Sequence, residues 1–343
     1  MQGSIVKAFA RAVTVVLGTA VLIAGHAASA AAQQPLRAEV AAFIEDMVRK
    51  HGFERAALQR VFSQVQWRPE IVRAMSAPAT ARPWHEFRSR YIDATRIAGG
   101  VKFWEENAAA LLRAGREYGV PEEIIVATIG IETFYGRNTG TVKVIDALAT
   151  LAFEFPARAE LFRGELEEYL LLAREAGFDS LSVRGSYAGA MGIPQFLPSS
   201  YRKYALDFDG DGRRNLWGDP TDAIGSVANY YRTFGWLTGE LVTVPVEAGE
   251  SGIDVTIAAG IKPQLKVGEL RRRGVVPLAP VSDEAEAALF AVETESGLRY
   301  RLGLQNFYVI TRYNRSVNYA MAVYELAREI RALTKPASEA PRQ

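Results

Sequence analysis

Cysteine is missing from all 343 residues. That removes disulfides, thiolate metal ligands and acylation of a cysteine from the chemistry open to the chain. Histidine occurs three times, and no His-Glu-x-x-His helix, P-loop, dinucleotide fingerprint or serine nucleophile elbow is present. His26 lies in the N-terminal segment that reads as an export signal, while His51 and His85 stand alone in helical surroundings that suit surface or capping residues. An excess of one charge is lacking too. The 40 basic and 39 acidic side chains leave a formal +1, too little for a fold built around a nucleic-acid backbone. The apolar run from Ala12 to Ala24 falls short of the ~20 residues that span a bilayer, and no other run approaches that length.

What is present is the balance of an ordinary globular protein, 49% apolar and 23% charged. The length predicts two or three packed subdomains. Lys7 and Arg11, the run 12–24 and the small residues Ala28-Ser29-Ala30 read as a cleavable export signal over 1–30, with Ala30-Ala31-Ala32 as a second cleavage choice. Without cysteine, the exported chain is expected to carry no lipoprotein anchor.

From Arg37 to Gly119 the apolar residues recur at helical spacing. Val40, Phe43, Ile44, Met47 and Val48 share one face, and Leu58, Val61, Phe62 and Val65 repeat the stripe. Residues 76–83 read as a connecting loop. Pro121 suits a first helical position, with Glu122 and Glu123 at the positive end of the helix dipole. Ile124 to Ile131 are apolar nearly all round, which predicts a buried helix. Helical patterns continue to Trp236. Beyond it, Leu241–Val246, Val255–Ile257 and Phe307–Ile310 read as strands separated by Gly and Pro, with a short helix over Val267–Arg273. Tyr319, Val323, Leu326 and Ile330 predict a last amphipathic helix, and the tail 335–343 is expected to be disordered. The expected fold class is therefore α+β and mostly helical: an α subdomain at 37–115, a core at 116–238, a small β-containing insertion at 239–304 and a return to the core at 305–334.

Glu132 ends the apolar run in Ile129-Gly-Ile-Glu-Thr-Phe-Tyr-Gly-Arg137. A carboxyl group there is expected to be partly desolvated and to hold its proton near neutral pH, as a general acid must. The same placement also fits a structural carboxylate paired with Arg137. A second segment, Gly185-Ser-Tyr-Ala-Gly-Ala-Met-Gly-Ile-Pro-Gln-Phe-Leu-Pro-Ser-Ser-Tyr201, combines small residues with Tyr187, Phe196 and Tyr201, which suit stacking on sugar faces. Ser186 and Gln195 supply hydrogen-bonding groups for hydroxyl or acetamido partners. Taken alone it also fits a tight helix-packing loop.

Together these segments resemble the B family of lytic murein transglycosylases. Phe103-Trp-Glu-Glu-Asn107 and Asn306-Phe-Tyr-Val-Ile-Thr-Arg-Tyr-Asn-Arg-Ser-Val-Asn-Tyr319 also look like that family's motifs, and the resemblance runs in order from about Phe43 to Leu333. It implies a lysozyme-like helical core within the α+β fold, and peptidoglycan glycan strands as the partner. It also implies cleavage, without water, of the β-1,4 bond between N-acetylmuramic acid and N-acetylglucosamine, leaving 1,6-anhydromuramoyl ends. Glu132 matches the single acid/base, and Ser186, Gln195, Tyr230, Tyr313, Asn314 and Tyr319 match positions lining the sugar cleft. Phe87 stands where a tyrosine is usual and Leu161 where an aromatic is usual. The rivals are a hydrolytic muramidase, for which Glu165 and Glu167 are spare acids, and a non-catalytic peptidoglycan-binding protein. A monomer in the periplasm, with no membrane anchor and no nucleic-acid partner, is expected.

Asp207-Phe-Asp-Gly-Asp-Gly-Arg213 follows the EF-hand scheme, with oxygen ligands at Asp207, Asp209 and Asp211, glycine at the sixth position and the Arg213 carbonyl at the seventh. The twelfth position is Gly218 rather than a glutamate. The resemblance implies a longer loop, 207–222, closed by Asp222, with Asp219 as the alternative. A structural Ca2+ is the expected ion, and no organic cofactor is implied.

Overall fold

The computed structural model describes residues 36–76, 82–249 and 253–334. The expected signal 1–30, most of the 76–83 connection and the tail 335–343 lie outside the described residues. No helix among the described residues is long and apolar enough to cross a membrane.

The N-terminal half is helical: α1 (Ala38–His51), α2 (Arg55–Phe62), α3 (Pro69–Ser76), α4 (Trp84–Tyr91), α5 (Ala94–Glu106), α6 (Ala108–Tyr118) and α7 (Glu122–Thr133). The stripe Val40, Phe43, Ile44 and Met47 is buried in α1, which stops at Gly52 in the left-handed region. Asp93 caps α5 by accepting from the Thr95 and Arg96 N–H groups at 2.9 Å each. In α7 every residue from Ile124 to Ile131 is buried, and Pro121 occupies the cap rather than the first turn. That burial follows from its neighbours, since α5, α6, α15 (Val317–Leu333) and α11 (Pro220–Thr233) all pack on it.

A two-residue ladder joins β1 (Val142–Lys143) to β2 (Arg184–Gly185), pairing Val142 with Gly185. Between them lie α8 (Val144–Glu154) and α9 (Ala159–Ala176), and α10 (Pro198–Tyr204) follows β2. One apolar core runs through all these helices and through α14 (Gln305–Tyr313) and α15.

A second, smaller core, including Val244, Val246, Leu289 and Leu302, belongs to an antiparallel sheet. Its strands are β3 (Thr243–Ala248), β4 (Leu265–Lys266), β5 (Val275–Pro277), β6 (Glu286–Thr294) and β7 (Gly297–Gly303), in the order β4-β6-β7-β3-β5. Helices α12 (Ile253–Ala258) and α13 (Val267–Arg272) lie between them in sequence.

Two strand expectations are overturned. Val255–Ile257 falls in α12, and Phe307–Ile310 falls in α14, where Phe307, Val309 and Ile310 are fully buried. A short run of β-branched and aromatic residues carries no period that separates a strand from a buried helical turn. The longest hairpin, β6–β7, was not singled out from the sequence, although its tight turn brings Gly297 to φ 101° opposite Thr294. Leu241–Val246 overlaps β3, and the helix expected at Val267–Arg273 is α13.

Candidate active site

Glu132 sits in the last turn of α7. The helix stops there because Phe134 and Tyr135 adopt left-handed φ values of 54° and 62°, followed by Gly136 at 83°. Non-glycine residues rarely accept that region, and each costs on the order of 1–3 kcal/mol unless its surroundings hold it. They are held here. The Phe134 N–H donates to the Gly130 carbonyl at 3.1 Å, and the Thr133 hydroxyl donates to the Ile193 carbonyl at 2.8 Å. The Tyr135 hydroxyl donates to the Arg96 carbonyl at 2.8 Å.

Glycine makes room for that half-buried ring. A Cβ on Gly130 would lie 2.6 Å from the Tyr135 hydroxyl, and one on Gly100 would meet the same oxygen at 2.6 Å. Gly130→Ala improves helix propensity by about 1 kcal/mol but must displace a ring anchored at its far end. A net loss of about 1–3 kcal/mol is expected from the overpacking, together with reduced activity as the turn carrying Glu132 shifts. Thermal melts and glycan release measured on the same preparation check it, and a variant with wild-type values for both would refute it.

The Glu132 residue is half-buried and still reaches the protein surface. Dense packing around its carboxyl raises its pKa from the ordinary 4.5 to about 7, against the opposing pull of a hydrogen bond from Tyr319. Tyr319 Oη donates to Glu132 Oε1 at 2.5 Å. Tyr319 is placed by the N-terminus of α15, where the Ser316 hydroxyl caps its N–H at 3.3 Å. Glu132 forms no ion pair among the described residues. Arg137, the alternative partner, instead places its guanidinium 5.0 Å from the Phe134 ring centroid.

Tyrosines surround this carboxyl. Tyr313 stacks near-parallel on Tyr319 with centroids 6.4 Å apart, and Tyr230 lies 4.8 Å from Tyr313. Their hydroxyls are committed to backbone: Tyr230 donates to the Arg312 carbonyl at 2.6 Å and Tyr313 to the Pro194 carbonyl at 2.5 Å. Burial drives the pKa values of Tyr230, Tyr313 and Tyr319 upward, so all three remain neutral phenols.

Residues 186–197 fold as a compact loop between β2 and α10, tied to the end of α7 by the Thr133–Ile193 hydrogen bond. Ser186 Oγ accepts from the Ala190 N–H at 3.0 Å. Met191 and Phe196 exchange backbone hydrogen bonds at 2.8 and 3.0 Å. Gln195, at φ 51°, donates its side-chain amide to the Gly192 and Thr139 carbonyls at 2.9 and 3.1 Å. Phe196 and Tyr201 are buried in the core, which removes them as stacking platforms, while Tyr187 is 48% exposed. Asn314 is exposed just past α14. Phe87 is also a core residue, stacked between Trp84 and Tyr91 at 6.4 and 4.7 Å, whereas Leu161 is 42% exposed.

Both spare acids have partners of their own. Glu165 accepts from the Ser199 hydroxyl and N–H at 2.6 and 2.9 Å, and Glu167 lies 2.7 Å from His51 Nε2 and 3.7 Å from Lys50 Nζ. Cavity size is no guide here. A cavity of about 810 Å³ lies between the 235–241 segment and the sheet, away from Glu132.

In the 207–222 loop, carboxylate oxygens of Asp207, Asp209 and Asp211 lie within 4.8 Å of one another, as do those of Asp209, Asp219 and Asp222. The loop is wound around them by its own amides. Asp207 accepts from the Gly210 and Gly212 N–H groups at 2.8 Å each, and Asp211 from that of Arg213 at 2.8 Å. Asp222, almost fully buried, accepts from the Phe208, Asp209 and Asn215 N–H groups at 2.6, 3.3 and 2.7 Å. The Asp211 N–H favours the charged form of Asp209, but desolvation and the Asp219 and Asp211 carboxylates outweigh it and hold its pKa above the ordinary value. No Lys, Arg or His forms an ion pair with any of the five aspartates among the described residues, so the donor set fits a hard divalent cation.

A family model described as a transglycosylase SLT domain matches residues 35–328. The chain belongs to the lytic murein transglycosylases. It is 45% identical over 298 residues to the membrane-bound lytic murein transglycosylase B of Escherichia coli K12, covering 84% of this chain and 81% of the relative. The crystal structure of soluble lytic transglycosylase SltB1 from Pseudomonas aeruginosa superposes with TM-score 0.81 at 51% identity, covering 86% of this chain and 99% of that one. The Escherichia coli lytic transglycosylase Slt35 in complex with calcium gives TM-score 0.80 at 44% identity, covering 86% and 93%. This lytic transglycosylase therefore acts on peptidoglycan, and its α+β, mostly helical fold is lysozyme-like. Two residues around Glu132 escaped the sequence reading. Tyr231, fully buried, holds Thr128 of α7 at 2.7 Å, and Tyr91 reaches the site from α4. No local pattern marks either one.

Proposed function

We propose that Glu132 carries both proton transfers of the cleavage. A carboxyl with a pKa near 7, no cationic partner and one phenol donor supports this reading. Protonated, it donates to the glycosidic oxygen between N-acetylmuramic acid and N-acetylglucosamine as oxocarbenium character develops at C1. The acetamido oxygen of the substrate stabilises that carbon, the substrate-assisted exception to the two-carboxylate rule. Ionised, Glu132 then takes the proton of the C6 hydroxyl as its oxygen attacks C1, closing a 1,6-anhydro ring. Water must be kept from C1 for this route to prevail. Attack by water would call for a second carboxylate about 5–10 Å away, and the spare acids Glu165 and Glu167 are engaged by Ser199 and by His51 and Lys50.

Ser186, Gln195, Tyr230, Tyr313, Asn314 and Tyr319 line the sugar cleft in this proposal. Tyr319 orients the acid, the half-buried Tyr313 offers ring surface rather than its hydroxyl, and the buried Tyr230 packs against Tyr313. The 207–222 loop holds a structural Ca2+ through Asp207, Asp209, Asp211 and the Arg213 carbonyl, with Asp222 closing the set and Asp219 beside it. The basic start, short apolar run and small residues of 1–30 support export to the periplasm, and the lack of cysteine supports a protein without an acyl anchor.

Digests of purified sacculi are expected to yield muropeptides one water lighter than those of a muramidase. Mass spectra containing only reducing ends would replace this proposal with hydrolysis.

A further inference from the structure

We infer that Tyr91 is a substrate-binding residue for the cleavage, its hydroxyl hydrogen-bonding an oxygen of the glycan that lies across Glu132, resting on the assignment of Glu132 as acid and base. Five phenols feel the charge of Glu132: Tyr91, Tyr230, Tyr231, Tyr313 and Tyr319. Four have their hydroxyls committed within the protein, to the Arg312 carbonyl, Thr128 Oγ1, the Pro194 carbonyl and Glu132 itself. The hydroxyl of Tyr91 has no protein partner among the described residues.

Geometry independently places its ring near the turn that carries Glu132. Tyr91 ends α4 half-buried, its ring stacked on Phe87 at 4.7 Å. The Arg96 guanidinium lies 5.3 Å from the Tyr91 ring and 5.0 Å from the ring of Phe134, two residues beyond the acid. This arrangement is rigid, because Arg96 is fastened to the Arg90 carbonyl at 2.7 Å and to Asp93 at 3.4 Å, while Tyr135 holds its carbonyl. Burial, then the charge of Glu132, raises the Tyr91 pKa, so it stays a hydrogen-bond donor at any working pH. Phenylalanine would stack on Phe87 and Arg96 equally well. The hydroxyl therefore serves no contact of the fold, and a sugar hydroxyl or acetamido oxygen is the acceptor its position suits. The exposed Tyr187, which also couples electrostatically to Tyr91, is the neighbouring phenol on the 185–201 loop.

The test compares wild type, Tyr91→Phe and Glu132→Gln on purified sacculi, with thermal melts of each and binding of purified glycan strands. Tyr91→Phe is expected to lower kcat/KM roughly tenfold, the scale of one neutral hydrogen bond, with the same anhydro products and melting temperature. In a Glu132→Gln background it should weaken glycan binding by a similar factor. Wild-type kcat/KM in Tyr91→Phe overturns the inference, as does a loss matched by a fall in melting temperature. If Glu132→Gln itself releases glycan at the wild-type rate, the acid/base assignment fails instead, which separates the two outcomes.

Discussion

Glu132→Gln is expected to reduce glycan release roughly a thousandfold, because the amide can neither give the first proton nor accept the second, and general acid–base assistance is worth about 10²–10⁴. The same substitution should stabilise the protein above neutral pH. With its pKa raised from 4.5 to about 7 in the fold, Glu132 binds its proton more tightly native than unfolded. Its favourable contribution is complete below about pH 4.5 and is lost as pH rises through about 7, where the buried carboxyl must ionise. That shift corresponds to at most about 3 kcal/mol, which the neutral amide does not lose. Wild-type activity should fall as pH climbs through the same value, since the first step requires the acid form. An inactive Glu132→Gln variant that melts lower than wild type at pH 8 would show that the carboxyl is structural. An active one would end the assignment.

Asp222→Ala should be the most destabilising change in the 207–222 loop. It leaves the buried Phe208 N–H, and the more accessible N–H groups of Asp209 and Asn215, without their acceptor. At about 1–3 kcal/mol for an unpaired buried group, a loss of that order is expected even in a chelator. The exposed Asp209 behaves differently. Asp209→Ala should melt near wild type in chelator yet lose the rise that Ca2+ gives, a gain of about 2.7 kcal/mol at a hundredfold excess over Kd. Melts of the three proteins with and without Ca2+ decide the matter. A Ca2+ response that survives Asp209→Ala would remove the metal from this loop, and an unperturbed Asp222→Ala would remove the scaffold role.

Much of this enzyme was legible in its linear order. Glu132 announced itself as a carboxyl closing an apolar helical run, and α7 proved buried as its pattern required. The alternation of aspartate with glycine at 207–212 pointed to a cation loop through local geometry alone. Runs longer than two helical turns carry their period with them, and side chains within a few residues of one another meet whatever the rest of the chain does. Short runs lack that security, which is why Val255–Ile257 and Phe307–Ile310 read as strands although they fall in α12 and α14. What only the tertiary structure decided was partnership. The sequence offered Arg137 to Glu132, but the fold gave it Tyr319, 187 positions away. Tyr91 comes near the turn at Phe134 because α4 packs on α15 and the Arg96 guanidinium of α5 lies against both rings, while Phe196, Tyr201 and Phe87 turned out to be core residues. The pKa of a carboxyl depends on the packing and charges within a few ångströms of it, and those neighbours arrive from segments with no common spacing in the chain.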